Sequence, residues 1–332
     1  MKIIADKNIP FLEGRIKDAQ LIQLPASEID AHAVKDADAL IVRTRTECDR
    51  LLLKDSNVKI VASATIGTDH IDIPWCLENG IAVSNAPGCN APGVALYVWS
   101  NLLRNGFDPA KHTLGVIGCG NVGGIVAEWG ERLGANVLVC DPPRMEKGYT
   151  DREYLSMEEV LSKSDAITLH TPLTRKGKYP TYHLIGEDSI TYLRPGAIFI
   201  NAARGEVADS DTLTAAIQDG TIKCCIIDTW EGEPDINKKL LSLADTATCH
   251  IAGYSVEGKQ RASRMALKAV GDTLGLKIDL EGLQGPYKEP QILTSHKIIE
   301  AYDPTEMTQA LKATPNSFET LRNAYPLHKE IL

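Results

Sequence analysis

The 332-residue sequence lacks several features by which whole classes of protein are recognised. No apolar run approaches the roughly 18 residues that span a bilayer, so we expect no membrane segment. Basic residues are a minority, with 35 Lys and Arg against 44 Asp and Glu, and the net charge of −9 argues against a nucleic-acid-binding surface. The first ten residues, MKIIADKNIP, carry charge and no long apolar stretch, so we expect no signal peptide.

The cysteines and histidines form none of the usual spacings. The eight cysteines contain no C-x-x-C pair, and several of them fall in or beside predicted core strands. Scattered thiols of this kind are typical of a reducing cytoplasm and not of a disulfide framework. The eight histidines show neither H-x-x-x-H nor H-E-x-x-H spacing. The sequence therefore predicts a cytoplasmic protein without a metal site.

A glycine-rich motif is the strongest functional signal that the sequence does contain. A short apolar run, 114–117, predicts a strand buried on both faces, and a helical pattern follows as far as Leu133. Gly118, Gly120 and Gly123 lie between them in G-x-G-x-x-G spacing. The first glycine permits a tight turn, the second a close approach of backbone to pyrophosphate, and the third close packing of helix on strand. This pattern predicts a dinucleotide at the N-terminus of the helix.

The next predicted strand supplies an acid where a dinucleotide needs one. The apolar run 137–140 ends in Asp141, 18 residues beyond Gly123. An acid at this distance accepts hydrogen bonds from the adenosine ribose hydroxyls and repels the extra phosphate of NADP. We therefore expect NAD as the cofactor, with Asn121 and Val122 of the motif also in contact with it.

The organisation of the chain predicts two α/β domains. Short strands and helices alternate over residues 1–90, with strands predicted at 2–5, 39–42, 60–64 and 82–84, and they alternate again over 94–250, as in parallel sheets covered by helices. A linker rich in proline and glycine, 85–93, joins them, and the proline-free helical run 256–276 should return the chain to the first domain. We expect two doubly wound parallel-sheet domains, formed by 1–93 with 251–280 and by 94–250, and a small C-terminal segment, 281–332.

Polar residues follow three predicted strands of the second domain, at 201–205, 228–234 and 250–254. Arg204 in the first group has the planar donor fork that binds a carboxylate. His250 in the third is the residue type suited to remove a proton near neutral pH, and a nearby carboxylate would orient it. From the residues alone, a surface role is the alternative for Arg204, and His250 could equally be a structural histidine.

These motifs together resemble the D-isomer-specific 2-hydroxyacid dehydrogenases over most of the chain. The resemblance rests on G-x-G-x-x-G, N-A-x-R-G, D-x-x-x-x-E-P and a final histidine. It implies a flavodoxin-like substrate domain and a Rossmann NAD-binding domain. It also implies that Arg204 binds substrate, that His250 is the base and that Glu233 pairs with it. Further residues then expected to contact NAD are Thr171, Ala202, Ala203, Asp228 and Gly253.

Several local stretches resemble more narrowly the subfamily that oxidises 4-phospho-D-erythronate in the vitamin B6 pathway. They are ATIGTDHID, APGCNAPGV, CDPPR, HTPL, KYPTYHL, DTWEGEP and HIAGYSVEGK, and the tail SFETLRNAYPLHKE resembles its dimerisation segment. The resemblance implies a homodimer, and substrate contacts from Thr44 and Thr65 with Tyr254 nearby. We favour Arg43 as the cation for the substrate phosphate, with Arg45 or a solvated surface role as alternatives.

Two other functions stay open on the sequence. The chain could be another D-2-hydroxyacid dehydrogenase, such as one acting on 3-phosphoglycerate. It could also be an NADH-sensing corepressor, since the C-terminal binding proteins share the fold and retain the residues equivalent to Arg204, Glu233 and His250.

Overall fold

The computed structural model describes residues 1–331, which form two compact units. The first unit comprises Met1–Asn90 and Ser255–Lys288. The second comprises Ala91–Tyr254 together with the chain from Glu289 onwards. The chain therefore leaves the first unit after Asn90, returns after Tyr254 and leaves again after Lys288. Which unit binds substrate, and where the functional boundaries lie, stay predictions.

The strands are short and nearly all apolar, as expected of parallel sheets covered on both faces. In chain order they are β1 Lys2–Asp6, β2 Gln20–Leu24, β3 Ala39–Val42, β4 Ile60–Ser63, β5 Ala82–Ser84, β6 Thr113–Ile117, β7 Asn136–Cys140, β8 Ala166–Leu169, β9 Ala197–Asn201, β10 Ile222–Ile227 and β11 Thr246–Ala247.

The α-helices alternate with the strands and then continue alone at the C-terminus. They are α1 Ala31–Val34, α2 Arg50–Leu53, α3 Ile73–Glu78, α4 Ala91–Arg104, α5 Asn121–Leu133, α6 Pro142–Glu146, α7 Met157–Lys163, α8 Glu187–Ile190, α9 Ser210–Gln218, α10 Lys238–Leu243, α11 Val256–Leu274, α12 Ser295–Ala301, α13 Thr305–Ala313 and α14 Phe318–Ala324. Within residues 1–331, no helix combines the length and apolar character that a membrane span requires.

The first unit is built on a five-stranded parallel sheet in the order β2-β1-β3-β4-β5. This is the strand order of flavodoxin-like folds. Every residue of β3 and β4 is buried, and α11 packs on this sheet through Ala266, Leu267 and Val270. The unit therefore has the doubly wound architecture predicted from its alternating strands and helices.

The second unit is built on a six-stranded parallel sheet in the order β11-β10-β9-β8-β6-β7. The strand order reverses between β6 and β8, and ligands of such sheets bind beyond the carboxyl ends of the strands at this reversal. The two parallel sheets confirm the predicted fold class. They also place the ends of β6 and β8 beside each other, where the cofactor motif and Thr171 lie.

The C-terminal helices α12–α14 pack on the second unit. Ile298 and Phe318 are completely buried in its hydrophobic clusters, and the Ser100 hydroxyl donates a hydrogen bond to the Tyr302 carbonyl over 2.6 Å. Residues of α14 thereby lie in the same compact unit as the predicted catalytic residues.

Candidate active site

The three motif glycines have three different surroundings. Gly118 has φ +90°, and a Cβ there would lie 2.8 Å from the backbone of His170. At Gly123 a Cβ would lie 1.9 Å from the Gly118 carbonyl oxygen. At Gly120, by contrast, a Cβ would meet no described atom within 4 Å. The outer two glycines therefore allow helix α5 to pack against the strands, and the middle one leaves open space at its N-terminus.

The Asp141 carboxylate lies against the glycine-rich turn. One of its oxygens accepts a hydrogen bond from the Cys119 amide over 2.8 Å, and the other accepts from the Arg144 amide over 3.0 Å. Asp141 therefore caps α6 and is held beside the motif. Because a carboxylate has about four acceptor positions, it can still accept hydrogen bonds from a ribose.

Thr171 supplies a second indication of a ligand. It follows β8, and its hydroxyl oxygen is buried without a hydrogen-bond partner among residues 1–331. A buried hydroxyl without a protein partner indicates a missing ligand or solvent partner. Together with the open space at Gly120, this hydroxyl shows that the residues present fit a dinucleotide such as NAD.

The loop after β9 positions Arg204, whose guanidinium forms no ion pair with an acid in residues 1–331. The Asn201 side chain donates to the Arg204 carbonyl over 3.0 Å and accepts from the Ala203 amide over 3.2 Å. A Cβ at Gly205 would lie 2.0 Å from the Trp230 carbonyl, so this loop packs tightly on the next one. The Arg204 guanidinium donates to the Ala203 carbonyl over 2.8 Å, and no acid in residues 1–331 forms an ion pair with it. Its charge is available for an anionic substrate.

His250 and Glu233 form a hydrogen-bonded pair. Nδ1 of His250 lies 2.9 Å from a Glu233 oxygen, and the other Glu233 oxygen accepts from the Trp230 amide over 2.8 Å. Burial would raise the pKa of Glu233, but the charge of His250 and these two hydrogen bonds lower it below its ordinary value. Glu233 is therefore ionised at neutral pH. With Nδ1 facing Glu233, Nε2 is the nitrogen that can take a proton from substrate.

Asp228 positions the loop that carries His250. His250 has φ +55°, a left-handed conformation that is strained for a residue with a side chain. Its amide donates to the Asp228 carbonyl over 2.8 Å. The buried Asp228 carboxylate accepts from the Ile251 and Ala252 amides over 2.8 and 3.0 Å, and from the Thr248 hydroxyl over 2.6 Å. Its predicted contact with NAD stays a prediction; the structure gives it a positioning role.

Tyr254 has a partner that the sequence analysis missed. Its hydroxyl accepts a hydrogen bond from Nε of Arg322 over 3.1 Å. Arg322 belongs to α14, 68 residues further along the chain, in the stretch SFETLRNAYPLHKE that resembled a dimerisation segment. No strand-end position or motif spacing identifies it, so only the fold of the C-terminal segment brings it to this site.

The predicted substrate residues of the first unit lie at the ends of the paired strands β3 and β4. Thr44 is exposed, and the Thr65 hydroxyl lies 2.7 Å from that of Ser63. Arg43, however, forms an ion pair with Asp6, with Nε 2.9 Å and Nη2 3.5 Å from its two oxygens. The substrate contacts of all three remain predictions, and Arg43 also has a structural partner.

One cluster in the second unit has side chains of the types that bind metals. Ligand atoms of His183, Asp209 and Glu231 all lie within 4.8 Å of one another. Nε2 of His183 lies 2.7 Å from Glu231, whereas its Nδ1 lies 3.5 Å from Asp209. The two carboxylates thus face different nitrogens of one imidazole, and the Glu231 contact is a hydrogen bond. The absence of a metal site stays a prediction.

Comparison with known proteins agrees with this geometry. Residues 95–252 match the model for the D-isomer specific 2-hydroxyacid dehydrogenase NAD-binding domain. An erythronate-4-phosphate dehydrogenase of Bacteroides fragilis is 41% identical over 340 residues, covering 99% of this chain and 97% of the relative. One from Porphyromonas gingivalis is 38% identical over 350 residues, covering 100% and 94%. This chain belongs to the erythronate-4-phosphate dehydrogenase family of D-2-hydroxyacid dehydrogenases.

Solved structures of other dehydrogenases have a similar fold. The 3-phosphoglycerate dehydrogenase of Entamoeba histolytica, solved with NAD, has a TM-score of 0.68 and 27% identity, covering 87% of this chain and 99% of that one. A D-lactate dehydrogenase of Aquifex aeolicus, solved with NAD and lactic acid, has a TM-score of 0.65 and 25% identity, covering 86% and 100%. The family confirms the predictions of an NAD-dependent dehydrogenase and of NAD as its cofactor.

Proposed function

We propose that 4-phospho-D-erythronate is the substrate of this NAD-dependent dehydrogenase. Its C2 hydroxyl would be oxidised, giving 3-hydroxy-2-oxo-4-phosphooxybutanoate for vitamin B6 synthesis. The observation that carries the chemistry is the His250–Glu233 pair, 2.9 Å apart, in the same unit as Arg204 and the glycine-rich turn. The choice of substrate is supported by the names of the relatives that match almost the whole chain.

Oxidation of an alcohol removes a hydride from carbon and a proton from oxygen. Bound NAD supplies the nicotinamide ring that accepts the hydride. Nε2 of His250 takes the hydroxyl proton, and the ionised Glu233 holds the imidazole and stabilises its protonated form. Arg204 binds the substrate carboxylate with two parallel hydrogen bonds and so fixes C2 beside the base.

The cofactor contacts follow the same proposal. The open space at Gly120 and the N-terminus of α5 would hold the pyrophosphate, and Asp141 the adenosine ribose. The unpartnered Thr171 hydroxyl would hydrogen-bond to the cofactor. Other residues assigned to this surface are Gly118, Asn121, Val122, Gly123, Ala202, Ala203, Asp228 and Gly253.

The proposal also includes substrate contacts from Thr44, Thr65 and Tyr254, a cytoplasmic location and a homodimer. All eight cysteines are buried and none forms a disulfide within residues 1–331, which supports a reducing environment. The dimer would involve the C-terminal segment, as its resemblance implies. Light scattering of the purified protein tests the dimer, and a monomer at micromolar concentration would contradict it.

The substrate is tested by measuring NADH formation with 4-phospho-D-erythronate, 3-phosphoglycerate, D-lactate and D-glycerate side by side. We expect kcat/KM for 4-phospho-D-erythronate to exceed the others by about 100-fold or more, since sites that hydrogen-bond a group strongly reject analogues lacking it. A higher value for 3-phosphoglycerate would favour the runner-up dehydrogenase. NAD binding without turnover of any of the four acids would favour a corepressor.

A further inference from the structure

We propose that Arg322 is the cation that binds the phosphate of the substrate. The inference rests on the proposed function, because it assumes a phosphorylated 2-hydroxy acid. It adds a specificity-determining residue from the C-terminal segment to a site otherwise made of strand-end loops.

The first step is the position of Arg322. Phe318, the first residue of α14, is completely buried and anchors the helix on the second unit. Nε of Arg322 donates to the Tyr254 hydroxyl over 3.1 Å, and the guanidinium carbon lies 5.8 Å from the centroid of the Tyr254 ring. Tyr254 comes four residues after His250, at the end of the same loop. α14 therefore brings a guanidinium to the loop that carries the base.

The second step is the electrostatic environment. Burial raises the pKa of Glu233, while the charges of His250 and Arg322 both act to lower it. Arg322 is thus within electrostatic reach of the catalytic pair. Its side chain is only 15% exposed. A positive charge so placed favours an anionic group near the His250–Glu233 pair.

The third step is that the charge of Arg322 is incompletely paired. Its Nη1 lies 3.6 Å from the Glu319 carboxylate, longer than the 2.7–2.9 Å of a charge-assisted hydrogen bond. Within residues 1–331, no acceptor hydrogen-bonds to its Nη2. A largely buried guanidinium is stabilised when its remaining donors are satisfied. Phosphate oxygens match this fork of donors.

Arg43 is the weaker candidate for binding the phosphate, because its charge is already paired. Its Nε and Nη2 both face Asp6, whose side chain is completely buried, so its charge is neutralised inside its own unit. Arg204 is assigned to the substrate carboxylate. Arg322, in the same unit, is therefore assigned to the phosphate at the other end of the substrate.

The test compares wild type and Arg322→Gln on 4-phospho-D-erythronate and on unphosphorylated D-erythronate. We expect kcat/KM to fall about 10–100-fold for the phosphorylated acid, the effect of losing a charged hydrogen bond, and far less for D-erythronate. Arg322→Lys should recover part of the loss, because it keeps the charge but not the fork. An equal loss on both substrates, or no loss, would overturn the assignment.

Arg104→Gln is the matched control. Arg104 is also partly buried and also holds the C-terminal segment, through a 3.0 Å ion pair with Asp303 and a hydrogen bond to the Ile299 carbonyl. It lies at the end of α4 and has no part in the proposed site. In Arg104→Gln, the ratio of kcat/KM for 4-phospho-D-erythronate to kcat/KM for D-erythronate should be unchanged. A shift in that ratio equal to that of Arg322→Gln would reduce Arg322 to a structural role.

A binding experiment separates this inference from the proposed function. Calorimetric titration of the NAD-loaded protein with inorganic phosphate should give binding that Arg322→Gln weakens by about tenfold or more. If wild type does not oxidise 4-phospho-D-erythronate, the proposed function fails, yet this titration still tests the anion site. Equal phosphate affinity in the two proteins would overturn the inference whatever the substrate is.

Discussion

Two arginines that follow buried strands, one in each unit, have opposite surroundings. Arg43 follows β3, and its Nε lies 2.9 Å from Asp6, whose side chain is completely buried. Arg204 follows β9, and its guanidinium hydrogen-bonds to the Ala203 carbonyl without an acid partner in residues 1–331. A strand end therefore identifies where a ligand can bind. An arginine at a strand end can use its charge to bind a ligand only if the fold does not place an acidic side chain beside it.

The largest effect expected from this comparison is on stability. Arg43→Ala should lower the free energy of unfolding by about 3–5 kcal/mol, because it leaves the Asp6 carboxylate buried without its partner. Urea denaturation measures the change. Lys59→Ala is the control: its ion pair with Asp38 is more exposed, so the loss should stay below about 1 kcal/mol. Equal losses in the two variants would contradict the structural role of Arg43.

The next largest effect is on turnover. His250→Asn should lower kcat by about 100-fold or more, because the substrate hydroxyl then loses its proton acceptor. NAD affinity, followed by titration, should be unchanged, since the glycine-rich turn and Asp141 lie on other loops. Near-normal turnover would remove His250 from the mechanism.

A smaller effect should follow from removing the charge of Glu233. In Glu233→Gln the protonated imidazole loses the carboxylate that lies 2.9 Å away. Neutral, catalytically competent histidine then persists to lower pH, so the acidic limb of the pH profile for oxidation should move downward, with a roughly tenfold loss of rate at the optimum. The profile of kcat/KM against pH is the measurement. An upward shift of that limb would count against the pairing.

The smallest effect concerns the cofactor. Asp141→Ser should narrow the preference for NAD over NADP by about tenfold, since it removes the charge that repels the 2′-phosphate. Arg144 is near enough to offset Asp141, but its guanidinium already hydrogen-bonds to Asp151 and Tyr154 over 3.5 and 3.4 Å. Efficient use of NADP by the unchanged protein would show that the role assigned to Asp141 is wrong.

Much of the fold was predictable because buried parallel strands are continuous apolar runs. β3 and β4 are entirely buried and were recognised on that pattern. β2 was missed, because its sequence QLIQL contains two glutamines and is no continuous apolar run; the strand lies at the edge of the sheet. The sequence pattern predicted a helix over residues 256–276. In the structure α11 ends at Leu274, because Gly275 adopts φ +67°. That glycine is a stop signal that the sequence does carry.

The site was predictable where its residues follow strands, and unpredictable where distant segments meet. The structure brings Glu233 and His250 into contact, as the resemblance implied. Arg322 follows no strand, and the stretch that contains it was predicted only as a dimerisation segment. It reaches Tyr254 because buried anchors such as Phe318 fold the C-terminal segment onto the second unit. Ile292, by contrast, is an apolar residue of the same segment and is 59% exposed. Local pattern does not specify which apolar residues of a proline-rich tail become buried.

The most direct test measures both unfolding free energy and kcat/KM for 4-phospho-D-erythronate in Arg204→Ala and Arg43→Ala. We expect a crossed result. Arg204→Ala should change stability by less than about 0.5 kcal/mol and lower kcat/KM by about 100-fold or more, through two lost charged hydrogen bonds. Arg43→Ala, studied where it is folded, should lose stability and keep kcat/KM within about tenfold. Retention of activity by Arg204→Ala, or a larger loss of kcat/KM in Arg43→Ala, would contradict the account.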